Sequence, residues 1–185
     1  LGRIEPLRQK WIDLSPDGFG VGIGINSGLA QVGNTGSKVK FKYGPLGNTV
    51  NIASRLEGMT KAFGVTAMMS SSTHDELLKL PTAATDPVFQ TRWLADAKPV
   101  GIQSVVRLYE FHPDADTAWQ QMRDRYETAL KCYHESDLTG AAKELASLVY
   151  DHPNDAPSVL LLGRVVESLT RHESKVDPVI QFLQK

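Results

Sequence analysis

Asn51 and Arg55 are the pair whose types and spacing bear most directly on chemistry. Four residues apart on a helix, their side chains are neighbours. An amide beside a guanidinium near a helix start suits an anionic ligand. The helix dipole favours negative charge there, and arginine presents a rigid fork of donors to phosphate oxygens. Other candidates carry less. Lys38, Lys40 and Lys42 alternate along one strand face and read as solvated rather than as phosphate ligands. His74 is a lone histidine in the first turn of a short helix and reads as a surface residue. The single cysteine, Cys132, excludes an internal disulfide framework and zinc-ribbon spacing. It lies in a helical pattern as a small core residue. Asp13 and Asp17 read as loop residues.

The stretch from Phe41 to Gly58 must position the pair. It reads as a strand end, a tight loop with the turn dipeptides Gly44-Pro45 and Gly47-Asn48, and a helix start. Asn48 or Thr49 is the expected N-cap. Ile52, Leu56, Met59 and Phe63 recur at i, i+4, i+7 and i+11, which gives the helix one apolar face. Upstream, Phe19, Val21, Ile23 and Ile25 alternate with glycine in strand period. The full dinucleotide and phosphate-loop patterns are absent. The bare glycine face instead lets another backbone or a ligand approach closely.

Residues 5–18 read as a helix end and a loop, with Leu7, Trp11 and Leu14 as the apolar stripe. Leu29 to Val32 and Val39 to Tyr43 form a hairpin. Val65 to Met69 is a short buried strand. A capping box of Ser72 with Asp75, or Thr73 with Glu76, then starts a short helix. After a loop over 81–87, Val88 to Leu94 and Val105 to Phe111 are two strands joined by a turn through Ala95 to Ser104.

A boundary falls at Pro113 to Asp116, and the rest is helical. Trp119, Met122, Tyr126, Ala129, Leu130 and Tyr133 share one face; Leu138, Ala141, Ala142, Leu145 and Leu148 share the next. Pro153 to Pro157 breaks the pattern, and Val159 to Leu169 restarts it. The spacing of Ala141, Leu145, Leu148 and Pro153 matches half of a tetratricopeptide unit. One such unit cannot bury its own face, so it must pack on the preceding part or on another chain.

At 185 residues, with 41% hydrophobic and 22% charged content, the chain is long enough for a real core. A net charge of −1 argues for neither nucleic acid nor a membrane surface as partner. No apolar run reaches the roughly 18 residues that span a bilayer, and no signal-peptide pattern is present. The first residue is not methionine, so the expectation is a fragment or a processed product.

Residues 20–111 resemble the C-terminal part of a class III adenylate/guanylate cyclase catalytic domain. The resemblance is carried by Gly22 to Gly28, Gly33 to Ser37, Tyr43 to Glu57 and Val106 to Phe111. It implies an α+β fold, part of a ferredoxin-like sandwich with an antiparallel sheet, over residues 1–112. The helical tail over 113–185 resembles the segment C-terminal to the catalytic domain in some bacterial cyclases. The activity implied is conversion of ATP or GTP to the 3′,5′-cyclic nucleotide and pyrophosphate. Two Mg²⁺ or Mn²⁺ ions on two aspartates assist it, at a site formed between two catalytic domains.

Asn51 then matches the residue that orients the ribose, and Arg55 the one that stabilises charge on the transferring phosphorus. Gly44 falls at the purine-reading position, beside Asn48 as a further nucleotide contact. Because Gly44 has no side chain, the choice between ATP and GTP stays open. Val100 falls where the family has a triphosphate-binding lysine, and Lys98 is a nearby substitute. No metal-aspartate motif matches, so the metal ligands are expected in a missing N-terminal part. The chain alone is expected to be inactive. The parent is expected to be a homodimeric adenylate cyclase, this segment cytoplasmic, with room for a membrane anchor in preceding regions and a protein partner for the tail. The alternative is a degenerate cyclase-like module that binds nucleotide or a partner without catalysis.

Overall fold

A computed structural model describes residues 20–37, 39–80, 90–112 and 116–182, with Pro6 and Lys10 besides. The helix and loop expected over 5–18, those two residues apart, and the loop expected over 81–87 fall outside the described residues.

The alternating glycines become strand β1 (Ile23–Ile25), and helix α1 (Asn48–Phe63) lies against its bare face. A Cβ on Gly24 would stand 3.0 Å from Glu57 Cα and closer still to Ala53 O and Glu57 N. A Cβ on Gly22 would stand 2.5 Å from Thr60 Oγ1. Only glycine lets helix backbone come this near to strand backbone. The other face of α1 carries the expected stripe. Leu56, Met59 and Phe63 are buried, and Ile52 is partly buried beside them. The helix stops at Gly64, whose φ of 66° places it in the left-handed region, with its N–H turned back to Thr60 O and Lys61 O.

Between β1 and α1 comes the hairpin of β2 (Gln31–Gly36) and β3 (Phe41–Leu46), paired in register from Gln31↔Leu46 to Gly36↔Phe41. The start of α1 differs from expectation. Its N-cap is Gly47, with φ 119° and no side-chain cap, and Asn48 is the first helical residue. Thr49 uses its hydroxyl elsewhere, donating to Leu29 O at 2.6 Å.

Strand β4 (Ala67–Ser70) leads into helix α2 (Ser71–Leu78), followed by β5 (Gln90–Lys98) and β6 (Val106–His112). The N-cap of α2 is Ser70, ahead of the Ser72 or Thr73 that the sequence suggests. Its side chain accepts from Thr73 N at 3.4 Å. Strand β5 runs on through Ala95–Lys98, which reads as a turn in the sequence, with an irregularity in pairing at Trp93/Ala95. The five-stranded sheet has the order β1-β4-β6-β5-β7, where β7 is Ile180–Gln181. The sheet is mixed, not antiparallel throughout. The two central pairs, β4·β6 and β6·β5, are antiparallel, whereas β1·β4 and β5·β7 are parallel. A crossover through the hairpin and α1 brings β4 back parallel to β1, as such connections do. Strand β7 arrives from the far side of three helices.

Those helices are α3 (Thr117–His134), α4 (Leu138–Asp151) and α5 (Ala156–Thr170). Each begins at an aspartate that accepts a backbone N–H of the first turn. Asp116 takes Trp119 N at 2.8 Å, Asp137 takes Gly140 N at 2.9 Å and Asp155 takes Ser158 N at 3.1 Å. The two expected stripes face each other. Met122, Tyr126, Leu130, Tyr133, Leu145 and Leu148 are buried in one cluster.

The helical unit packs on the sheet. Tyr126 Oη donates to Leu94 O at 2.7 Å, and Trp93 N donates to Glu127 Oε1 at 2.8 Å. Arg92, 1% exposed, clasps both parts. Its Nε and Nη2 reach Glu110 Oε2 at 2.8 and 2.6 Å, and its Nη1 reaches both oxygens of Asp155 at 2.9 Å. Burial opposes the charge, but the two carboxylates more than offset it and raise the arginine's pKa. Beyond α5 the chain returns as a strap. Val176 is buried in the helical cluster, Arg164 donates to the carbonyls of Asp177 and Pro178, and β7 pairs Ile180 with Ala97 and Gln181 with Lys98.

Candidate functional site

Arg55 lies on the second turn of α1, half-buried, at a cavity of about 360 Å³. Ser54, Gly58 and Ala62 line the same cavity at i, i+4 and i+8. Small residues on this face leave room beside the guanidinium. Met59 and Glu57 come from the same helix, Pro99 and Val100 from the β5–β6 turn, and Phe182 from the strap.

Three sets of contacts fix the helix that carries Arg55. Gly22 and Gly24 set its distance from β1. The apolar stripe seats it on the sheet. Asn26, at the end of β1, fixes its first turn. Its Nδ2 donates to Thr49 O at 2.9 Å, while its Oδ1 accepts from Ser70 Oγ at 2.6 Å and Ser72 Oγ at 2.9 Å. One amide thus joins the starts of α1 and α2 to a strand end.

The β5–β6 hairpin that brings Val100 to the cavity is braced by Asp96 and Arg107. The guanidinium bonds both carboxylate oxygens, at 2.8 and 3.0 Å, and its Cζ lies 4.2 Å from the centroid of the Trp93 ring. Partial burial would raise the Asp96 pKa, but the hydrogen bonds and charge of Arg107 hold it below the ordinary carboxylate value.

The structure brings Arg55 together with Val100, the position where the resemblance expects a lysine. Asn51 is exposed, one turn nearer the start of α1, and is not among the residues lining the cavity. Asn48 is exposed at the head of the helix. Gly44 pairs with Gly33 in the β2–β3 hairpin, and a Cβ there would meet nothing within 4 Å. Lys98 ends β5, half-buried, with its carbonyl accepting from Phe182 N at 3.2 Å; its side chain is not among those lining the cavity.

Sequence reasoning missed Phe182, Asn26 and the small face of α1. The Ser54, Gly58, Ala62 spacing was visible; nothing local pointed to Phe182. Among the described residues no group of three or more His, Cys, Asp or Glu side chains is placed to hold a metal ion. Asp13 and Asp17 lie outside the described residues. Among the described residues no helix is long and apolar enough to cross a membrane.

Residues 7–92 match the family described as the Adenylate and Guanylate cyclase catalytic domain. The span takes in β1, the hairpin, α1 with Arg55, and the start of β5. Two curated relatives agree. The chain is 35% identical over 92 residues to Adenylate cyclase 1 of Rhizobium meliloti (strain 1021), a match covering 50% of this chain and 13% of that protein. It is 38% identical over 52 residues to Adenylate cyclase of Anabaena cylindrica, covering 28% of this chain and 10% of that protein. The matched part of the chain is therefore a small fraction of each relative's length.

Proposed function

We propose that this chain supplies one half of the active site of an adenylate cyclase, with Arg55 as the ligand of the reacting phosphate. The observation that carries the reading is Arg55 on a helix held by three sets of contacts, opening onto a cavity of about 360 Å³. It lies within the stretch that matches the cyclase catalytic domain. A donor held before the reaction begins stabilises developing charge without reorganisation. Asn51, one turn before it, orients the ribose. Gly44 and Asn48 border the purine, and Lys98, whose side chain does not line the cavity, becomes a further phosphate contact only if the β5–β6 hairpin shifts. No step is routed through metal, since the ligands that the resemblance implies belong to the N-terminal part of the catalytic domain.

The second half of the site comes from a partner subunit of the parent protein, whose N-terminal catalytic part carries the metal ligands that the resemblance implies. The support is the β2–β3 hairpin, which leaves Val32, Phe41 and Tyr43 exposed, with Leu29 exposed ahead of it and Val39 in its turn. Contiguous apolar surface of this kind marks an interaction face. Residues 1–112 then form the catalytic part and 113–185 a tetratricopeptide-like unit for a protein partner. The outward residues Val159, Val166 and Leu169 of α5 support that reading.

The test is turnover of ATP and of GTP by the full protein in Mn²⁺, with Arg55→Ala and Asn51→Ala alongside. Loss of one preorganised donor lowers kcat by about 10²- to 10³-fold. Near-normal turnover in Arg55→Ala sinks the assignment. A second reading is a cyclase-like module that binds nucleotide without turning it over. Val100 on the cavity wall, in place of a cation, favours it. Arg55-dependent ATP binding without product is its signature.

A further inference from the structure

The geometry points to Phe182 as a positioning residue for the anion at Arg55, so that the strap leading out of the helical unit completes the cavity. This rests on the triphosphate reading of that cavity. Phe182 reaches the cavity from the far end of the described chain, and three observations support its part in the site.

It is held in place. Its N–H donates to Lys98 O at 3.2 Å, directly after the two β7 pairings. Its ring centroid lies 6.2 Å from that of Phe63, tilted by 38°, and the side chain packs against the core between α1 and the sheet. It also leaves the cavity open. With the ring in place the space is still about 360 Å³, because Ser54, Gly58 and Ala62 keep the facing helix surface small. Finally, its companions are apolar. Met59, Pro99, Val100 and Phe182 surround a cavity with one arginine and one glutamate, Glu57. Apolar walls lower the local dielectric and strengthen the attraction between a guanidinium and a phosphate. They also shield the pair from dissolved salt.

Phe182 therefore acts through Arg55, and the helical unit holds Phe182. The strap is gripped by Arg164 and by the burial of Val176, so the seating of α5 and the seating of the ring are mechanically joined.

Two readouts on the full chain test this. In the first, phenylglyoxal modification of Arg55 is followed by peptide mass spectrometry, with no nucleotide present. Phe182→Ala is expected to react several-fold faster than the native chain, and Phe182→Leu close to it. Equal rates for the native chain and Phe182→Ala overturn the proposal. In the second, ATP affinity is measured at two salt concentrations for Phe182→Ala, Phe182→Leu, Arg55→Ala and the Phe182→Ala/Arg55→Ala double variant. Phe182→Ala is expected to weaken binding about tenfold, more at higher salt, with Leu restoring most of it. In the Arg55→Ala background the change should vanish. Additive losses mean that Phe182 does not act through Arg55, and overturn the proposal. If the native chain binds no ATP, the triphosphate reading fails by itself, and the wall formed by Phe182 stands or falls on the phenylglyoxal rates.

Discussion

Replacing Gly24 by alanine adds one methyl group where helix α1 meets β1. The new Cβ would lie closer than 3.0 Å to Ala53 O and Glu57 N, a separation real Cβ atoms essentially never show. Both atoms are backbone, so no side chain can swing aside. The helix must retreat by about 1 Å to restore ordinary contact, which begins at 3.4 Å. Overpacking of this sort costs about 1–3 kcal/mol, and a clash with backbone belongs at the upper end. The same retreat carries Arg55 with it. A displacement of about 1 Å at a positioning group lowers turnover on the order of 10²-fold. Urea unfolding should show a lower midpoint with an unchanged m-value, and ATP turnover of the full protein should fall far more than the loss of folded protein explains. Gly33→Ala is the control, since a Cβ there meets nothing within 4 Å. An unchanged midpoint in Gly24→Ala would refute the packing argument. A lowered midpoint with normal Arg55-dependent turnover would refute the claim that the depth of α1 against β1 sets the site.

Gly58→Ala should separate stability from function. Position 58 is mid-helix with open space around it, so alanine should raise stability by up to about 1 kcal/mol, read as a higher Tm, while narrowing the cavity and weakening ATP binding. Asp155→Ala removes both a partner of the buried Arg92 and the cap of α5. Leaving a buried charge short of its partner costs roughly 3–5 kcal/mol, measurable by denaturant unfolding, and a loss below about 1 kcal/mol would count against the clasp. His134 sets a pH dependence. Burial lowers its pKa from the ordinary 6.5; Asp96 opposes this, and Arg107 and Arg164 add to it. The unfolded chain therefore takes the proton first. Stability is fully present above pH 6.5 and declines as pH falls through the lower folded value. His134→Gln should flatten unfolding midpoints across that window, and an unchanged slope would exclude His134 as its source.

Much of what seats Arg55 was legible because it is local and periodic. The stripe Ile52, Leu56, Met59, Phe63 follows from helix geometry alone, and the alternation of Val21, Ile23 and Ile25 with glycine marked a face that something approaches closely. That the something is the backbone of α1 needed three dimensions. The caps differ by one to three residues because Gly47, with its positive φ, starts α1 without a side chain, and because Ser70 precedes the run of hydroxyls that resembles a cap. The end of β5 was hidden by Asp96 and Lys98, whose charges resemble a turn. Asp96 is accommodated in the strand because Arg107 answers it across the pair. Strand β7 and Phe182 were invisible for a different reason. Two residues carry no period, and their partners lie far back in the sequence.

The position of β7 also bears on how the protein is made. Strands β1, β4, β5 and β6 leave the ribosome well before residues 180–181, so during synthesis the outer edge of β5 presents unpaired backbone groups. Such an edge is a template for pairing with another chain. Helix α3 takes up Trp93 N and Leu94 O, but the end of the edge at Ala97 and Lys98 is paired only when Ile180 and Gln181 arrive. A ribosome that stalls within α5 would release a sheet that can still take a strand from a neighbour, so the cost of premature termination is a sticky product as well as an incomplete cavity.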